Sequence, residues 1–298
     1  MTRGAALALM VAAPVLWSSA GVVTRHIERA EPIEQVLWRS FFAFAFVAGT
    51  LAFTKKNPIR AALAAGGAGL FSGALWAVMF TAFIIALSLT TTANALVVMS
   101  IAPLLTVVCA RIVLTDPIPL RTWLAALAAM AGIAVMFGSS VDNAKHVGGM
   151  LVALVIPVAS ALNVVALRKQ SASVDLIPAV MLGGALSALV ALPLALPISA
   201  SGRDLALLAF LGVFQLGLPC MFLVMASRAL LAPEIALLGL LEVVLGPLWA
   251  WLGAGETPAT STLTGGALVL VALAGNELAA LSSRTRSSRS RRTASSYR

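Results

Sequence analysis

Charge is what this sequence has least of. Only 10% of its 298 residues are Asp, Glu, Lys or Arg, against about 25% in a soluble domain. A chain this poor in charge cannot cover a water-facing surface. Tyrosine occurs once, and the two histidines, His26 and His146, fall in loops. Two cysteines, Cys109 and Cys220, lie far apart in apolar stretches; they make no disulfide framework or metal site and read as small buried hydrophobes. HExxH, GxSxG and the phosphate-binding GxxxxGK[ST] are all missing, and Gly66, Gly67 and Gly69 do not extend into a dinucleotide fingerprint. No pair of acids clusters within an apolar run. These absences argue against an intramembrane enzyme, which with a non-transporting scaffold is the alternative from another class, and against direct use of ATP; no cofactor or metal is expected. Loops mostly under about a dozen residues speak against a receptor or scaffold.

Long apolar runs are what is present. Hydrophobic residues make up 60% of the chain and the mean hydropathy is +1.01. The spacing predicts ten membrane spans, at 4–23, 34–54, 67–88, 92–113, 120–138, 148–167, 176–197, 204–226, 233–252 and 261–281. Each is near the ~20 residues that cross ~30 Å of hydrocarbon. The first is not a cleavable signal, because no small-x-small site and polar mature domain follow it. Breaks are marked by Lys55-Lys56-Asn57-Pro58, Asp116 to Pro119, Ser139 to His146, Arg168-Lys169-Gln170 and Gly253 to Pro258; Leu89 to Thr92 is a polar turn without charge. The last segment, 282–298, is rich in Ser and Arg and is expected to be a disordered basic tail that touches anionic lipid.

The formal charge is +9, and it sits in loops and tail. That distribution fits orientation in a bilayer, not nucleic-acid binding. Of the 20 basic residues, 15 fall on the side of the two termini, 4 (Arg25, Arg29, Lys145, Arg203) on the other, and Arg39 within a span. The bias places both termini in the cytoplasm of a bacterial-type inner membrane.

The two halves of the chain resemble each other. At an offset of 143, Pro14-Val15 falls on Pro157-Val158, Val22 on Val165 and Arg25 on Arg168. At an offset of 140, Ala86 falls on Ala226, Asn94 to Pro103 on Glu234 to Val243, and Asp116 on Glu256. Residues 1–139 and 140–281 thus read as two five-helix repeats. An odd number of spans inverts the second relative to the first, and inverted repeats build transporters that bind solute between their halves.

Particular residues carry a family resemblance. The stretch "VLWSSAGVVTR" (Val15 to Arg25), Trp38-Arg39-Ser40, and "IALLGLLEVV" followed by "WLGAGET" resemble the EamA branch of the drug/metabolite transporter superfamily. One departure is Val243, where that family often has proline; Pro247 lies a turn later and Pro103 holds the equivalent place in the first half. The resemblance implies ten helices around a central cavity. It is strongest with exporters of aromatic amino acids, which implies Phe, Tyr and Trp as substrates. Other small metabolites or cationic drugs are the alternative cargo, and a monomer is the expected assembly.

Ionisable residues inside spans are costly and mark function by default. Glu242, near the middle of the ninth span, is a candidate to hold an ammonium or a proton. Arg39 lies near an interface and reads as a snorkelling side chain. An aromatic amino acid needs a flat apolar pocket with polar groups at one end. Trp17, Trp76, Met79, Phe80, Phe83, Met99 and Met221 are wall candidates, with Trp76, Phe80 and Phe83 on one helical face. Ser18, Ser100, Asn163, Gln215 and Glu242 are candidates for the polar end. Pro14, Pro103, Pro157, Pro219 and Pro247 free backbone carbonyls within spans and read as hinges. Gly69 and Gly73 form a GxxxG motif expected to bring helices close.

Overall fold

The computed structural model describes every residue except 55–56, 91, 116–117, 138–146, 171–172, 255–259 and 296–298, and leaves aside the side chains of 92–94, 137, 247, 250, 253–254, 277 and 280–295. Four expected span boundaries (Lys55-Lys56, Asp116-Pro117, Ser139 to His146, and Gly253 to Pro258) therefore lie wholly or partly outside the described residues.

The described chain is helical throughout. The helices are α1 (Arg3–Trp17), α2 (Ala20–Thr24), α3 (Pro32–Phe53), α4 (Pro58–Leu89), α5 (Thr92–Met99), α6 (Ala102–Val113), α7 (Leu120–Phe137), α8 (Val147–Gln170), α9 (Ile177–Ala191), α10 (Gly202–Phe210), α11 (Leu218–Ala226), α12 (Ala232–Gly239), α13 (Leu241–Ala254) and α14 (Thr260–Ser295). Among the described residues, seven helical stretches are long and apolar enough to cross a membrane, and Leu120–Met136 and Thr260–Asn276 are shorter apolar helices. The surface is apolar too: Leu70, Leu151, Leu189 and Leu263 are each more than half exposed. Such a belt is tolerable only against lipid.

Starts and breaks have local causes. Pro32, Pro58, Pro178, Pro219 and Pro233 sit in first turns, where a missing N–H costs nothing. Ser201 and Asp204 close a capping box on α10. The expected first span is broken between Trp17 and Ala20, one turn after Pro14. The fourth is broken at Ser100–Ile101, just before Pro103, and the ninth at Leu240, between α12 and α13. Between α10 and α11 the chain takes a π-helical turn, Leu211–Gly217. Inside α4, Gly66 adopts φ 57°, which a side chain would resist, and α4 kinks there. The third span therefore begins after Gly66, with Pro58 to Ala65 as a separate first segment. Helix α14 runs on to Ser295, through most of the stretch that composition assigns to a disordered tail.

Pairing of helices follows a pattern. α4 packs on α9 and on α8; α3 packs on α9 and on the π turn; α1 packs on α11; α7 packs on α14. Small residues allow the approach. A Cβ at Gly73 would lie 3.3 Å from the Ala179 carbonyl oxygen, and one at Gly212 would lie 2.6 Å from that of Arg39. Gly69, the partner of Gly73 in the GxxxG motif, faces only Ala65 of its own α4 and brings in no second helix.

Candidate functional site

The centre of the bundle is built around Arg39. Seven residues into α3, it lies ~10 Å along the helix axis from Pro32. Its side chain does not snorkel. It is 1% exposed and among the largest fully buried side chains of the protein. The reading from sequence fails because α4 and the π turn close over α3 at this level, and neither neighbour is visible in the local sequence. Nη2 donates to the Phe80 carbonyl at 2.8 Å, and Nη1 to Gln215 Oε1 at 3.4 Å. The Phe83 ring lies beneath the guanidinium, 5.6 Å from Cζ to centroid. Nε is buried with no acceptor among the described residues.

Gln215 is 3% exposed and joins three spans. Its amide oxygen accepts from Arg39, and Nε2 donates to the Trp17 carbonyl at 3.4 Å, where α1 ends. It can do both because the π turn aims it inward; such turns recur at functional sites. Glu242 lies on the first turn of α13, just past the break at Leu240, and is only partly buried. Among the described residues Glu242 forms no direct ion pair with Arg39.

The apolar candidates separate into groups. Trp76, Phe80 and Met221 are buried in the main core, and Trp17 and Met79 pack against it. The rings of Trp76 and Phe80 lie 5.5 Å apart and tilted by 35°. Phe83 belongs to a neighbouring cluster beside Val36 and Leu37, and Met99 is partly buried at the end of α5. The polar candidates separate as well. Ser100 donates to Val97 of its own helix, at 2.6 Å. Ser18 donates to the Val15 carbonyl and accepts from Trp249 Nε1, both at 2.8 Å. Asn163 Oδ1 accepts from Ser72 at 2.6 Å, joining α8 to α4, and its Nδ2 is buried without an acceptor among the described residues. Among the described residues, Gln215 is the member of the polar set that bonds Arg39.

The prolines are placed as follows. Pro14 and Pro157 are buried inside α1 and α8. Pro103 opens α6 after the break, and Pro219 opens α11 after the π turn. Pro247 lies within α13, and its side chain is outside the described residues.

Residues 4–138 match the EamA-like transporter family. The match lies within the first half of the chain. A solved crystal structure is similar in fold, with a TM-score of 0.77 at 20% identity, over 92% of this chain and 96% of its own. No curated protein matches the chain.

Two sets of polar ties lie outside the centre and are invisible as motifs. Where α1 and α12 begin, Arg3 makes a two-pronged ion pair with Glu234, at 2.8 and 2.9 Å. On the opposite face, Asp204 accepts from the backbone N–H of Glu28, Arg29 and Ser201. Nearby, Glu34 accepts from Ser199 and Ala200 N–H, the Ser199 hydroxyl and Trp38 Nε1. Both carboxylates are buried, so full hydrogen bonding is what makes them tolerable.

Proposed function

We propose that the chain exports amino acids, with a preference for the aromatic Phe, Tyr and Trp, across a bacterial-type inner membrane. Ten spans form two inverted five-helix halves, both termini are cytoplasmic, and access alternates as the halves rock. The family match over residues 4–138, nearly the first proposed half, supports transport. The helix pairings support the inverted repeat. Exchanging the halves turns the α4–α9 contact into that of the π turn with α3, and the α4–α8 contact into α1–α11. The offset of 140 also carries the break at Ser100 onto that at Leu240.

The observation that carries the aromatic preference is the gathering of Trp17, Trp76, Met79, Phe80 and Met221 in one cluster beside the polar pair of Arg39 and Gln215. Rings supply large apolar faces for stacking. The partly accessible carboxylate of Glu242 favours a second cargo, cationic drugs, for which an interior anion is the natural receptor.

Counterflow of labelled Phe in proteoliposomes, against a panel of Tyr, Trp, Thr and a quaternary ammonium dye, tests the reading. Phe, Tyr and Trp should exchange, and Trp76→Ala and Met79→Ala should weaken them more than Thr. Equal losses across the panel would assign these side chains to packing, and absence of any flux would leave a scaffold.

A further inference from the structure

Arg39 lacks a counter-ion in contact. A guanidinium is always charged and offers five donors in a planar fork. Two of its nitrogens are met by neutral oxygens, the Phe80 carbonyl and the Gln215 amide, and the second contact is long at 3.4 Å. Nε has no acceptor among the described residues. Burying a charge this way is costly unless an anion completes the site.

The missing partners are of one kind. Arg39 Nε, Trp76 Nε1 and Asn163 Nδ2 are all buried donors without an acceptor, and among the described residues no buried side-chain oxygen lacks a partner. The interior is short of acceptors, and a carboxylate supplies two oxygens with about four lone-pair sites. Glu242 supplies the opposite need. It is partly accessible, stands on the first turn of α13 just past the break at Leu240, and has no hydrogen bond to a side chain among the described residues. A solute that bears a carboxylate and an ammonium on one carbon meets both needs at once.

We propose that Arg39 receives the carboxylate of the transported solute while Glu242 receives its ammonium, so that the interior selects zwitterionic α-amino acids over amines and over acids. Gln215, held by the Trp17 carbonyl and by Arg39, positions the guanidinium. The inference rests on the amino-acid reading above and adds the group that distinguishes an amino acid from an amine.

The test is binding to the purified full chain in nanodiscs, using L-Phe, L-phenylalaninamide, 2-phenylethylamine and 3-phenylpropionate, with L-Leu and L-leucinamide as a second pair. In the unaltered protein each acid should bind at least about tenfold tighter than its amide, the scale of one charge-assisted hydrogen bond. Arg39→Gln should bring acid and amide within about twofold while leaving 2-phenylethylamine unchanged. Arg39→Lys should retain part of the preference. Glu242→Gln should erase the preference for L-Phe over 3-phenylpropionate. Acid and amide binding alike in the unaltered protein would overturn the inference with no variant needed, as would an Arg39→Gln protein that loses all four ligands equally. If Leu shows the acid preference and Phe gains nothing over it, the aromatic reading fails and Arg39 keeps its role. If no amino acid binds, both fail.

Discussion

Trp249 donates its indole N–H to the Ser18 hydroxyl at 2.8 Å, fifteen residues along each helix path from the ion pair of Arg3 with Glu234. The stretches from Arg3 and from Glu234 therefore run side by side in the same direction and meet at both ends. They belong to opposite halves of the chain, so this pair of contacts is a seam between the halves. Arg3→Ala should cost about 1–3 kcal/mol, because Glu234 is left buried with the Leu231 N–H as its remaining donor among the described residues. Trp249→Phe should cost about 1 kcal/mol, the loss of one neutral hydrogen bond. Thermal unfolding in detergent measures both, and Arg3→Ala with Glu234→Ala should lose less than the sum of the two.

Asp204 is fully buried and takes three backbone N–H donors, two of them from the loop after α2. Asp204→Asn turns one acceptor oxygen into a donor facing donors. A loss of more than about 2 kcal/mol is expected. Proteolysis between Arg25 and Glu31 should accelerate in the variant; an unchanged cleavage rate would mean that the carboxylate does not hold this loop.

The close approach of α4 and α9 tolerates no added atom. A Cβ at Gly183 would lie 3.1 Å from the Gly73 carbonyl oxygen and against the Trp76 side chain. Gly183→Ala should cost about 1–3 kcal/mol by overpacking. Gly49→Ala, in α3 with open space around it, should instead stabilise by about 0.5–1 kcal/mol, the ordinary gain of alanine in a helix. Melting temperatures of the two variants should move in opposite directions.

Ser72 and Asn163 share a 2.6 Å hydrogen bond between α4 and α8. Interhelical bonds of this kind average about 0.6 kcal/mol in membranes. Ser72→Ala should therefore lower stability slightly and leave Phe affinity within about twofold. A larger loss of affinity would move Asn163 from helix contact to solute contact.

The membrane class and the approximate extents of most helices were legible, because apolar runs and proline or charged breaks are local signals. The two ionisable residues within spans, Arg39 and Glu242, were legible by the same logic. The depth of Arg39 was not. Seven residues from Pro32 suggests an interface, and only the neighbouring helices, at Phe80 and Gln215, make it an interior residue. Glu34, Asp204 and Glu234 stand at the starts of predicted spans with nothing local to mark a partner, and their partners lie more than 160 residues away in the case of Ser199 with Glu34 and of Glu28 with Asp204. The break at Leu240 has no proline of its own beside it. The offset of 140 from Ser100 is the signal that marks it.

The π turn at Leu211–Gly217 has a consequence for how the chain tolerates length changes. Such a turn holds one residue more than the α-helix it interrupts. Removing a single residue there would restore an unbroken α-helix with almost no change in its reach. The helices on either side would keep their relative orientation, because the wide turn absorbs its extra residue with little added rotation. Gln215, which the turn aims at Arg39 and the Trp17 carbonyl, would lose that aim. A one-residue deletion, which in a regular helix rotates all that follows by about 100°, would at this point spare the outer cap of the bundle and strike only its charged centre.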